Sequence, residues 1–140
     1  MTTGDFYDEL ETRSTDAREQ ALLDALPGQI SHAKANATYF GKLFADIDPT
    51  AITSRQALAS LPVTRKSDLI ELQKETPPLG GLIATEPGKL RRIYQSPGPI
   101  YDTDGHSADW WRTARALYAA GFRAGDIMHK IGRASCRERV

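Results

Sequence analysis

The sequence predicts a mainly α chain leading into the start of an α/β domain, and three observations carry that reading. Apolar residues recur at three- and four-residue spacing through the first 76 positions. Ser and Thr stand where helices would begin, and Pro or Pro-Gly stands where they would stop. After Pro77-Pro78 the pattern becomes a strand, a turn, a helix and the opening of a second strand, which is the order of a βαβ unit.

Taken in order, Ser14 to Leu26 places Ala17, Ala21, Leu22, Ala25 and Leu26 on one helical face. Ser14 is the expected cap, and Asp16 and Glu19 lie near the positive end of the helix dipole. Pro27-Gly28 is expected to interrupt this helix. Ile30, Ala33, Ala37, Tyr39, Phe40, Leu43 and Phe44 then continue an apolar face through one or two short helices to Ala45, and Asp48-Pro49 ends the unit. Thr53-Ser54-Arg55-Gln56 has capping-box spacing with Thr53 as cap, and its helix stops before Leu61-Pro62. Thr64 is placed to cap Arg65 to Lys74, with Leu69, Ile70 and Leu72 as the buried positions. Pro77-Pro78 and Gly80-Gly81 mark a loop.

Leu90 to Gln95 reads as the first strand, followed by Ser96-Pro97-Gly98-Pro99 and a turn-rich Asp102-Thr103-Asp104-Gly105. Asp109 to Ala120 puts Trp110, Ala114, Leu117 and Tyr118 on one helical face, with Gly121 as a left-handed C-cap. Ile127-Met128-His129 opens the next strand. The expected organisation is a helical region over 1–76, the truncated start of an α/β domain over 77–129, and a tail over 130–140.

That tail, Lys130 to Val140, continues no periodic pattern. It matches, in frame and through to a stop, the translation of a common sequencing adapter, so it is expected to be non-native and to carry no functional meaning. The 140 residues hold 18 basic and 18 acidic side chains. Four of the former and one of the latter sit in the tail, which leaves 14 against 17 and a mildly acidic remainder. Cys136, the only cysteine, is also in the tail, so the rest supports neither a disulfide framework nor a cysteine-based zinc site. Met1-Thr2-Thr3-Gly4-Asp5 does not read as a secretory leader, and no apolar run approaches the ~20 residues of a membrane span. These features lead us to expect a cytoplasmic protein without a membrane partner. The absence of a basic stripe argues against nucleic acid as a partner.

Several blocks resemble phenylacetate-CoA ligase and its relatives in the adenylate-forming superfamily. They are Tyr7-Asp8-Glu9-Leu10-Glu11-Thr12-Arg13, Ile30-Ser31-His32-Ala33-Lys34 with Tyr39-Phe40, Leu61-Pro62-Val63-Thr64-Arg65-Lys66-Ser67-Asp68-Leu69, and Ala119-Ala120-Gly121-Phe122-Arg123-Ala124-Gly125-Asp126. They follow the family's order and span nearly all residues before the tail. The resemblance implies that 77–129 begins an AMP-binding domain. It also implies an enzyme using ATP, Mg²⁺ and coenzyme A to activate an aromatic or other carboxylic acid as an acyl-adenylate. With the family's later parts absent, the fragment alone is expected to be inactive and to contain no catalytic residue.

The family's phosphate loop is rich in Ser, Thr and Gly, because small residues let backbone amides approach the triphosphate. The corresponding stretch here is Tyr94 to Asp102, in which Ser96 and Gly98 match and are the candidate cofactor-binding residues. Two prolines remove amide donors, and Asp102 stands near the place of the family's lysine. A plain Pro-Gly turn is the other reading of this loop. Trp110-Trp111 reads as core or interface packing rather than a substrate box. His32 and His106 have no partners at metal spacing, so no metal ligand is assigned. Arg91-Arg92 reads as a solvated strand edge. Two alternatives to the ligase reading stay open: a small helical binding module, suggested by the well-capped helices before Pro77, and a non-adenylating pseudoenzyme, suggested by the altered loop.

Overall fold

The structure, a computed structural model, describes residues 5–96 and 98–127. Among them the chain forms α1 (Thr15–Asn36), α2 (Thr38–Leu43), α3 (Arg55–Ala59), α4 (Leu69–Glu75), β1 (Arg92–Gln95), β2 (Tyr101–Asp104) and α5 (Ala114–Ala119). It is mainly helical, as predicted. The adapter-like tail and the expected strand residues Met128 and His129 lie outside the described residues.

α1 begins as Ser14 dictates, the serine hydroxyl accepting the Ala17 N–H at 3.2 Å. It does not stop at Pro27-Gly28, but runs 22 residues with Pro27 inside it. A proline removes one intrahelical hydrogen bond and costs about 3 kcal/mol in a helix interior. Tertiary packing offsets this cost: Leu26, Ile30 and Ala33 follow one another along the face that meets Phe44 and Ile52. The front of α1 is different. Ala17, Ala21, Leu22 and Ala25 are exposed, Leu22 by 60%, so of the apolar face predicted there Leu26 alone packs against the core. This half is tied instead through Glu19, whose carboxylate accepts from both Arg55 Nε and, at 2.6 Å, Arg55 Nη2.

α2 folds back on α1. Lys34 Nζ donates to the Ala45 and Ile47 carbonyls at 2.8 and 2.9 Å, closing the turn after α2 with a charge-assisted contact. Ile30, Phe44 and Ile52 form the centre of the core, ringed by half-buried residues that include Phe40, Leu43 and Leu61.

Ser54, not Thr53, caps α3, accepting the Ala57 N–H at 3.1 Å, and the helix ends before Leu61-Pro62 as expected. Thr64 likewise does not cap. Its hydroxyl donates to Tyr39 Oη at 3.2 Å, and a 3₁₀ turn at Lys66–Asp68 precedes α4. Leu69, Ile70 and Leu72 are half-buried, while the buried residue of α4 is Gln73. Gly80 and Gly81 turn the following loop at φ of +67° and +68°, conformations that favour glycine. The turn brings the Gly81 carbonyl to the Tyr39 N–H at 3.0 Å.

β1 and β2 pair antiparallel, with Arg92 opposite Asp104 and Gln95 opposite Tyr101. This corrects one expectation: Asp102-Thr103-Asp104 is a strand rather than a turn, so a hairpin stands between β1 and the helix, while most of the return strand expected of a βαβ unit lies outside the described residues. Asp favours turns and is depleted in strands, but tertiary partners override that preference at Asp102 and Asp104. Gln73 grips the outer edge of β2, donating Nε2 to the Tyr101 carbonyl and accepting the Tyr101 N–H, both at 2.8 Å. α5 is shorter than the predicted Asp109–Ala120 because Asp109 and Arg112 adopt φ of +51° and +53°. Asp109 then accepts the N–H groups of Thr113 and Ala114, at 2.8 and 3.0 Å. Gly121 takes the left-handed position expected of it, at φ +99°. No helix among the described residues is long and apolar enough to cross a membrane.

Candidate functional site

The hairpin, the Gly105–Thr113 segment and the stretch from Thr64 to Leu69 enclose an open cleft of about 1330 Å³. Its aromatic wall is built by local chemistry. Trp110 donates its indole N–H to the Thr103 carbonyl at 3.1 Å. Its ring lies flush on Gly105, where any Cβ would overlap it. Trp111 stands edge-on to Tyr94, with ring centroids 6.4 Å apart. Trp110 also borders a second cavity of about 320 Å³, lined by Phe40, Leu82 and His32 among others, and so stands in the lining of both spaces.

Asp104 anchors the hairpin side. Its side chain is only 7% exposed, and Oδ2 accepts from Arg92 Nη1 at 3.2 Å and Tyr94 Oη at 3.0 Å. Oδ1 is buried without a hydrogen-bond partner among the described residues. Asp104 therefore sets the positions of Tyr94 and Arg92 at the cleft, and Arg91 lines the cleft beside them.

The two predicted site residues part company. Ser96 borders the cleft, its N–H donating to the Ile100 carbonyl at 2.9 Å across the hairpin loop. Gly98 is exposed in the loop at φ +123°, with open space where a Cβ would stand, and is not part of the cleft lining. Pro97 lies outside the described residues. Trp110 and Trp111, read as packing residues, both face the cleft, as does His106. Arg92, read as a solvated edge residue, is paired with Asp104.

ATP, magnesium and coenzyme A are the groups the resemblance implies. Among its described residues the loop does not form a cradle for a triphosphate: the Ser96 amide is committed to Ile100, and Pro99 has none. Among the described residues no group of three His, Cys, Asp or Glu side chains is placed to hold a metal ion. No chemical step is therefore assigned to these residues.

Sequence reasoning missed Gln73, Asp104 and Gly105. Gln73 carried a signal, being a polar residue four positions after Leu69 on an otherwise apolar helical face. Asp104-Gly105 carried none, since the pair reads as a turn until β1 is seen beside it.

The helical front with its hairpin is a fold already seen in acyl-CoA ligases. The 2-hydroxyisobutyryl-CoA ligase structure in the postadenylation state with 2-HIB-AMP matches 90% of this chain and 28% of its own, with a TM-score of 0.79 and 24% identity. The same ligase with 2-HIB-AMP and CoA, in the thioesterification state, gives a TM-score of 0.76 and 23% identity over 90% and 29% of the two chains. The fold is thus that of part of the adenylate-forming CoA ligases, whose complete fold is α/β. At the level of sequence the chain is a homologue of phenylacetate-coenzyme A ligase. It is 30% identical to that enzyme from Aromatoleum evansii over 129 residues, covering 86% of this chain. It spans 28% of that relative's length. No family model matches the chain.

Proposed function

We propose that the chain is the front part of an acid–CoA ligase. The whole enzyme would use ATP and magnesium to turn an aromatic or other carboxylic acid into an acyl-adenylate, then pass the acyl group to coenzyme A. The observation that carries this reading is 30% identity over 129 residues to a phenylacetate-coenzyme A ligase. The chemistry has a plain logic: a carboxylate is a poor electrophile, and adenylation equips it with a leaving group that a thiolate displaces. Such an enzyme must hold phosphate charge and align the attack, which requires groups converging from several parts of a fold.

By itself the chain would be inactive, a view supported by its span of 28% of the relative's length. In this reading residues 1–76 are a helical N-terminal region, 77–129 the truncated start of the AMP-binding domain, and 130–140 a non-native tail. Ser96 and Gly98 would be the remnants of the phosphate loop. The enzyme would work in the cytoplasm on a small acid, with neither nucleic acid nor membrane as partner.

The test is to recover the gene beyond the codon for His129 and assay the whole product for acid-dependent ATP–pyrophosphate exchange and CoA thioester formation. Exchange with the whole product, and none with the 140-residue chain, is the expected result. Turnover of ATP, acid and coenzyme A by the 140-residue chain would overturn it. A non-adenylating relative is a second reading, favoured by the prolines and Asp102 around the altered loop. Acid or coenzyme A binding by the whole protein without exchange would select it.

A further inference from the structure

The N-terminal segment reaches across the chain to α5. Arg115 Nη2 of α5 donates to Asp8 Oδ2 at 2.6 Å, a contact between residues 107 positions apart. Arg115 Nε lies 4.0 Å from Glu11 Oε1. One turn along, the Tyr7 and Tyr118 rings meet edge-on with centroids 5.7 Å apart, and the Arg123 guanidinium sits 3.6 Å over Tyr118. Asp8 itself is held in shape locally, its other oxygen accepting the Leu10 N–H at 3.1 Å.

α5 needs such support. It has six residues, too few for an isolated helix to persist in water. Its other side contributes Leu117 to the cleft, and the turn before it carries Trp110 and Trp111, tied to the helix start through Asp109. The same short helix therefore receives the strap on one side and supports the aromatic wall on the other.

We propose that residues Tyr7 to Glu11 are an intramolecular clamp on α5 that holds the tryptophan wall of the cleft in place, with Arg115 as its positioning residue. Release of the clamp loosens α5 and lets Trp110 leave its seat on Gly105, joining the large cleft to the smaller cavity behind it.

Hydrogen exchange on the 140-residue chain tests it, following the α5 amides of Leu117 and Ala120, the Trp110 indole N–H, and the α1 amides as an internal control. Arg115→Glu should speed exchange at α5 and at the Trp110 indole by about tenfold while leaving α1 within about twofold. Adding Asp8→Arg restores the pair in reversed sense and should return both rates toward the original. Arg115→Met, which keeps the aliphatic stem, replaces the reversal if that variant unfolds. In about 1 M salt the parent chain should move toward the variants, because the pair is exposed and the Debye length falls to about 3 Å. Unchanged indole exchange in the single variants would overturn the proposal. So would a uniform rise that includes α1, or a failure of the double reversal to restore the rates.

Discussion

Gly105 and Trp110 show how much of the site rests on single atoms. The indole ring occupies the space a side chain at 105 would need, and its N–H closes the contact on Thr103. Gly105→Ala should therefore displace Trp110 and destabilise the chain by about 1–3 kcal/mol, the usual cost of forcing extra volume into a packed position. A shifted tryptophan emission spectrum with a lower unfolding midpoint is the expected outcome. Two half-buried carboxylates make a second prediction at this scale. Donation by Arg115 holds the Asp8 carboxyl below its ordinary value of 3.8, and donation by Arg55 holds Glu19 below 4.5. A lowered carboxylate contributes stability above its unfolded value and loses that contribution as pH falls through the folded one. Carboxyl NMR titration should find both groups ionising below those values, and Arg115→Met should raise Asp8 toward its ordinary value, the Leu10 and Glu11 amides still holding it down, while leaving Glu19 alone.

At the scale of elements, α1 and the hairpin both exist against a local signal. Pro27 sits within α1, so Pro27→Ala restores one backbone donor to a helix already held by Ile30 and its neighbours. The substitution should raise stability by about 1–3 kcal/mol, read as an increased denaturation midpoint with no loss of helical circular dichroism. Two-stranded hairpins are marginal alone, and all four residues of β1 are exposed. Gln73 supplies what a third strand would, two backbone-like hydrogen bonds at Tyr101, which is why a helix residue decides whether the hairpin stays paired.

For the whole molecule, the buried centre is small against the surface left open. Ile30, Phe44 and Ile52 form one cluster near α1 and α2, while Tyr94, Trp110, Trp111, Val63 and Ile127 are all exposed, Val63 by 80% and Ile127 by 97%. Little apolar burial joins the hairpin and α5 to the helical front, so the two should not melt together. Urea unfolding followed by tryptophan fluorescence is expected to precede loss of far-ultraviolet helical signal. A single sharp transition with coincident midpoints would contradict that. The exposed set also fits the proposal that this chain works as part of a larger ligase.

By itself the sequence determined the family likeness, the helical front, the caps at Ser14 and Gly121, and the end of β1 at Gln95. These are local or linear properties: a hydroxyl before a helix, a glycine after one, apolar residues at helical spacing. Tertiary structure alone decided that α1 runs through Pro27, that Asp102 to Asp104 form a strand, and that Ser96 faces a cleft while Gly98 does not. Each of those outcomes depends on a partner distant in the chain, whether Phe44 against Ile30, Gln73 against Tyr101, or Asp104 opposite Arg92. Contacts of that kind outweigh a residue's own preference once the chain is folded, and spacing along the sequence, even where it marks a residue such as Gln73, does not name its partner.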